Sequence, residues 1–170
     1  MVGIHELVVV RDPERGSCQA VMLTCIDYRF LRPACDLLER ECLLGTTDLI
    51  AWPGGAMALL TEDAEGLLSA LELAITVHGP PTVLLAAHID CARLGGSGRF
   101  GGIERETAHL DAGLQDAAAT VRSRFPDARI RLVCFARGED SEAPFPFMPV
   151  GEGMPDDLTS PLPPTWEDAR

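Results

Sequence analysis

The sequence contains no lysine; all fourteen of its lysine-or-arginine positions are arginine. That removes Schiff-base chemistry and the phosphate-gripping lysine of a P-loop from the mechanisms open to it. No apolar run approaches the length needed to cross a bilayer, so no membrane partner is expected. The first residues hold His5, Glu6, Arg11, Asp12, Glu14 and Arg15 in place of a signal-like stretch, and a cytoplasmic chain is expected. Positive charge is scarce, with a formal net charge of −12. Phosphate contacts need clustered cations on a basic face, so nucleic acid is excluded as a partner.

What is present is enough for one domain. A chain of 170 residues with 46% hydrophobic content can bury a sizeable core without disulfides. Its six cysteines, with no secretion signal, read as thiols or metal ligands. Cys35 and Cys42 fall on one expected helix about 10 Å apart along its axis, too far for an S–S bond, and are expected to share a buried face.

Strand-like and helix-like stretches alternate. Ala20–Cys25 is a short apolar run, followed by a helical stretch from about Phe30 to Leu44. A second unit begins at Asp48–Trp52, breaks at Pro53-Gly54-Gly55, and continues as a helix with Leu67, Leu68, Leu71, Ala74, Ile75 and His78 on one face, ended by Gly79-Pro80-Pro81. Thr82–Ala87 is uniformly apolar, as a parallel strand covered on both sides must be, and it delivers His88 at its C-terminal end. The Gly95–Gly102 segment formally contains G-x-G-x-x-G at Gly96–Gly101, but it follows no strand and reads as a flexible loop. A helix from about Glu104 to Phe125 and a strand over Ala128–Ala136 complete the alternation. The expected fold is a single α/β domain with a central, mostly parallel sheet of four or five strands flanked by helices.

Two segments follow from this division: an α/β domain over 1–137 and an acidic, proline-rich tail over 138–170. The tail holds seven of the thirteen prolines and eight acidic residues against the single basic Arg170. It reads either as a solvated tail or as an arm laid on a neighbouring subunit through Phe145, Phe147 and Trp166.

In open α/β sheets ligands bind beyond the C-terminal ends of the strands. Three polar clusters land there: Cys25-Ile26-Asp27-Tyr28-Arg29, Pro53-Gly54-Gly55-Ala56 and His88-Ile89-Asp90-Cys91. Two thiolates and an imidazole suit tetrahedral Zn²⁺ and leave a fourth position free. His5, His78 and His109 have no partners at ligand spacing and read as solvent-facing or helix-face residues.

A Cys-x-Asp-x-Arg segment after one strand and a His-x-x-Cys segment after a later one resemble the signature of the β-class carbonic anhydrases, and the likeness extends over roughly Ala20 to Ala136. The resemblance implies zinc held by Cys25, His88 and Cys91, with Asp27 and Arg29 as an ion-paired catalytic dyad. It implies reversible hydration of carbon dioxide to bicarbonate by hydroxide formed at the zinc, whose bound water ionises near pH ~7. Asp27 is also a possible fourth ligand, and Arg29 would hold it away from the metal. The Gly54 and Gly55 amides are candidate donors to a bicarbonate oxygen. A homodimer or a dimer-based oligomer is implied as well.

The chain departs from the family pattern at three places. Ala92 followed by Arg93 stands where Gly commonly follows the second cysteine, Tyr28 stands where a small residue is usual, and the Pro53–Ala56 turn matches only loosely. These changes bear on the pocket, so hydrolysis of CS₂ or COS at the same site, or a zinc protein without catalysis, stand as alternatives.

Overall fold

The computed structural model describes residues 18–136. Among them are four strands, β1 (Ala20–Cys25), β2 (Thr47–Trp52), β3 (Thr82–His88) and β4 (Arg129–Phe135), and three α-helices, α1 (Leu31–Arg40), α2 (Ala64–His78) and α3 (Ile103–Arg124). All pairings are parallel, in the order β2-β1-β3-β4. The single α/β architecture with a parallel central sheet is therefore as the alternation predicts. The tail from 138 onward, its proposed arm and His5 lie outside the described residues.

Period-two alternation on the two central strands divides the core. Val21, Leu23, Val83, Leu85 and Ala87 face α2, α3 and a 3-10 turn over Gly55–Leu60; Ala20, Met22, Leu84 and Ala86 face α1. Every residue of β3 is buried, which explains why its sequence shows no polar alternation. Each fully buried leucine contributes about 1.5–3 kcal/mol of burial free energy. Helix α2 presents Leu67 and Leu71 to the core with Leu68, Ala74 and Ile75 alongside, and Gly79 caps it in the left-handed conformation (φ 63°) with its N–H on the Ile75 carbonyl.

Helix α1 is shorter than its sequence suggests. It ends at Arg40, and Cys42 turns left-handed at φ 57°. The Leu43 N–H reaches back to the Leu38 carbonyl and the Cys42 N–H to the Glu39 carbonyl, the paired bonds of a Schellman stop. Cysteine occupies the position where glycine usually signals that stop, and so the sequence reads as continuing to Leu44. In consequence Cys42 is exposed, and the expected shared buried face with Cys35 does not exist.

The topology places a crevice. The chain leaves β1 for β2 on one side, then returns past β1 to lay β3 on the other. Beyond the C-terminal ends of β1 and β3 the connections diverge, and such a switch point is where open α/β sheets hold ligands.

Candidate metal centre

Cys25 is the last residue of β1 and His88 the last of β3. Cys91 follows after the chain turns through Asp90, whose φ of 60° is left-handed. Cys91 then opens a 3-10 turn over Ala92–Leu94. The two sulfurs and an imidazole nitrogen lie within 4.8 Å of one another, and this is the one cluster of potential metal ligands found among the described residues.

His88 is buried, at 2% exposure. Its Nδ1 lies 2.9 Å from the Ile89 carbonyl, a contact that only an Nδ1–H can make favourable. That fixes the tautomer and leaves Nε2 with its lone pair facing the cysteines, buried and without any hydrogen-bond partner. An orphaned acceptor at this depth is costly unless something occupies it. Phe30 stacks on the ring with centroids 4.3 Å apart, which holds its plane.

Of the two sulfurs, Cys25 is the one prepared as an anion. The neighbouring Cys91 thiol, with the nearby His88 ring and the Asp27 and Gly54 amides, lowers the Cys25 thiol to about 4 against the opposing effect of burial. Cys91 is raised, first by its bond to Cys25 and then by burial, while the Arg93 and Leu94 amides pull it back. For His88, burial pulls the pKa down, but the nearby Cys25 sulfur, the Ile89 carbonyl and the charge of Asp27 leave it raised. Two sulfurs with amide donors already aimed at them, and one imidazole with a free lone pair, fit a soft divalent metal, and Zn²⁺ above all.

Asp27 and Arg29 stand beside this cluster. Arg29 Nε donates to both Asp27 oxygens at 2.9 Å and Nη2 donates to Oδ2 at 2.5 Å. The Asp27 side chain also caps the turn over Tyr28–Phe30 by accepting from the Arg29 N–H. The Arg29 hydrogen bond holds the Asp27 carboxyl at about 2. Asp27 Oδ2 is 3.9 Å from His88 Nε2, so the carboxylate borders the metal position itself.

The Pro53–Ala56 turn serves both strands. The Gly54 N–H lies 3.4 Å from Cys25 Sγ, so this amide faces the thiolate. Gly55 is buried, left-handed (φ 58°), and so close to β1 and β3 that a Cβ would stand 2.5 Å from the Ala86 carbonyl oxygen and 2.9 Å from the Cys25 nitrogen. An open cleft of about 750 Å³ lies over the centre, lined among others by Cys25, Asp27, Tyr28, Gly54, Cys91 and Arg93. Tyr28 is 84% exposed and therefore stands at the mouth without filling it. Arg93 lies across the cleft from Tyr28, its Nη2 at 3.7 and 3.6 Å from Glu62 and Asp63.

The family model described as "Putative carbonic anhydrase" matches residues 16–134. The chain belongs to this family. The match takes in the whole cluster, from Cys25 to Cys91, in the order that the carbonic anhydrase resemblance requires. No curated protein matches the sequence. Among solved structures, a carbonic anhydrase from Glaciozyma antarctica is similar at 16% identity and a TM-score of 0.45, over 73% of this chain and 79% of that one.

Three further residues complete the surroundings and carry no signal in the short motifs. Arg29 Nη1 donates to Asp90 Oδ2 at 2.9 Å, and Nη2 to the Asp90 carbonyl at 2.9 Å. Asp90 N–H donates to Glu106 Oε1 at 2.7 Å, and the Ser97 hydroxyl to Glu106 Oε2 at 2.5 Å. The Gly95–Gly102 segment, expected as a flexible loop, holds a 3-10 turn over Ser97–Arg99 whose Ser97 is tied to Asp90 and Glu106. The spacing of Asp90 between His88 and Cys91 is the one clue the sequence offers to it. His78 is exposed and paired with Asp48 at 2.7 Å, and His109 packs against Phe100; neither joins the cluster.

Proposed function

We propose that this chain is a β-class zinc lyase that interconverts carbon dioxide and bicarbonate, with Cys25, His88 and Cys91 holding the zinc. The observation that carries the reading is the buried, unpartnered His88 Nε2 gathered with two cysteine sulfurs. Zinc bound there would supply a Lewis acid able to ionise water near neutral pH.

The chain's own residues divide the remaining work. The Ile89 carbonyl keeps Nδ1 protonated and Nε2 free. Asp27, kept ionised by Arg29, accepts a hydrogen bond from the attacking water and so directs the oxygen lone pair at the carbon. One C–O bond forms, one proton leaves to solvent, and bicarbonate departs through the open cleft. Gly54 lines the cleft in which the product lies and its amide also supports the Cys25 thiolate, while Gly55 lets the turn pass close against β1 and β3.

A homodimer is part of the proposal, supported by the apolar Ile26, Leu31 and Leu49, which stand 60%, 57% and 50% exposed near the cleft and on the β2 edge. A cytoplasmic location fits six cysteines that are all free.

The test is zinc content per chain together with stopped-flow CO₂ hydration from neutral to alkaline pH on one preparation. One zinc per chain and a hydration rate that rises through a titration is the expected result. Zinc at that stoichiometry with no hydration above buffer at any pH would overturn the lyase reading, and sulfide release from CS₂ or COS would then identify the sulfur hydrolase.

A further inference from the structure

Arg29 has five N–H bonds to give, and Asp27 is only one of its partners. The other is Asp90, which takes Nη1 on its carboxylate and Nη2 on its carbonyl. The guanidinium is thus gripped on two sides by residues from two different strand ends. Asp90 does this in a left-handed conformation (φ 60°) that a non-glycine residue adopts at a cost of about 1–2 kcal/mol. A glycine would meet that turn with less strain but would bring no carboxylate.

The conformation is maintained from α3. Glu106 is fully buried, and both its oxygens are engaged, one by the Asp90 N–H and one by the Ser97 hydroxyl. Ser97 returns its own N–H to Asp90 Oδ1 at 3.2 Å. Glu106 also lies in the first turn of α3, where the helix dipole favours negative charge. A buried carboxylate with two donors, holding a strained residue that in turn holds an arginine, makes a continuous hydrogen-bonded path from helix α3 to the metal position.

We infer that Asp90, seated by Glu106 and Ser97, is a positioning residue that fixes the Asp27–Arg29 pair and so keeps Asp27 off the fourth metal position. The inference rests on the metal reading above. The bidentate Asp27–Arg29 bond alone does not provide this restraint, because the two residues come from the same short turn and can pivot together. Asp27 Oδ2 lies 3.9 Å from His88 Nε2, and a small pivot would bring it onto the metal. Asp90 anchors Arg29 to the loop that carries His88 and Cys91, and the pivot is blocked.

The full-length chain loaded with Co²⁺ provides a readout independent of turnover, since azide perturbs the visible spectrum only when the fourth position is open to it. Wild type should bind azide. Asp90→Ala should weaken azide binding by about 10- to 100-fold, the usual effect of removing a group that orients a metal's neighbours. In an Asp27→Ala background the same substitution should change nothing, because no carboxylate remains to close the position. Asp90→Asn, which keeps the volume, carries the same expectation if the alanine variant fails to fold. Unchanged azide affinity in the Asp90 variants, or an equal loss with and without Asp27, would overturn the inference. Wild-type chain that takes up no cobalt would overturn the metal reading first, and this inference with it.

Discussion

The ends of β1 and β3 carry the same short pattern, a potential metal ligand, an isoleucine and an aspartate: Cys25-Ile26-Asp27 and His88-Ile89-Asp90. Both aspartates meet on one arginine, yet they are supported in different ways. Asp27 sits in ordinary extended backbone (φ −61°, ψ 112°) and finds its partner two residues on. Asp90 is left-handed, and its backbone is held by a glutamate from a helix beyond the next loop. The first aspartate finds its partner locally; the second depends on the tertiary fold. A local pair can be read from adjacent residues, whereas a distant support is visible only once the chain has folded.

The comparison can be broken most severely at the residue that spaces the two loops. Gly55→Ala would push a methyl group against the backbone of both β1 and β3, and overpacking together with the left-handed strain should cost about 3 kcal/mol. Urea denaturation of the variant beside wild type measures it. Glu106→Ala acts on the second loop alone. It leaves the Asp90 N–H and Ser97 without their buried partner and should cost about 1–3 kcal/mol, whereas Glu106→Gln, which can still accept from the Asp90 N–H, should lose less; thermal melts of the two variants separate them.

The smallest effect sharpens the contrast between strain that is used and strain that is not. Cys42 and Asp90 are the left-handed non-glycine residues among those described. Cys42→Gly should stabilise the protein by about 0.5–1 kcal/mol by relieving the helix stop. Asp90→Gly relieves the same kind of strain but removes the grip on Arg29, and denaturation should show it less stable than wild type. If both glycine variants were stabilised alike, the Asp90 side chain would have no structural part in the second loop.

Much of this was legible beforehand for physical reasons. Uniformly apolar strands such as Thr82–Ala87 admit few structures other than a buried parallel strand, and strands alternating with helices dictate the sheet. The convergence of Cys25, His88 and Cys91 follows once β1 and β3 are neighbours. The stop of α1 was hidden because cysteine stands in the glycine position. Glu106 was hidden because it lies in Ile103-Glu-Arg-Glu, a charged helix start that reads as solvent-facing; its burial follows from the path of the Gly95–Gly102 turns, which no local periodicity reports. The same turns explain why a segment rich in glycine is bound into the structure: Gly95 and Gly96 adopt positive φ so that Ser97 can reach both Asp90 and Glu106.

The strand order has a further consequence, for the history of each molecule. Helix α1, strand β2 and helix α2 are made between Cys25 and β3, and β1 acquires its second neighbour only when β3 arrives. No local fragment of the chain contains the donor set. Capture of a metal ion by this set would therefore close a long loop, and its entropic cost would fall on the assembly of the central sheet. A nascent chain arrested before β3 would offer the ion one thiolate from this set and hold it poorly, whereas the finished sheet presents three ligands at once. A metal held by this cluster would in that sense be taken up as a late checkpoint on folding, passed only when the two halves of the sheet have met.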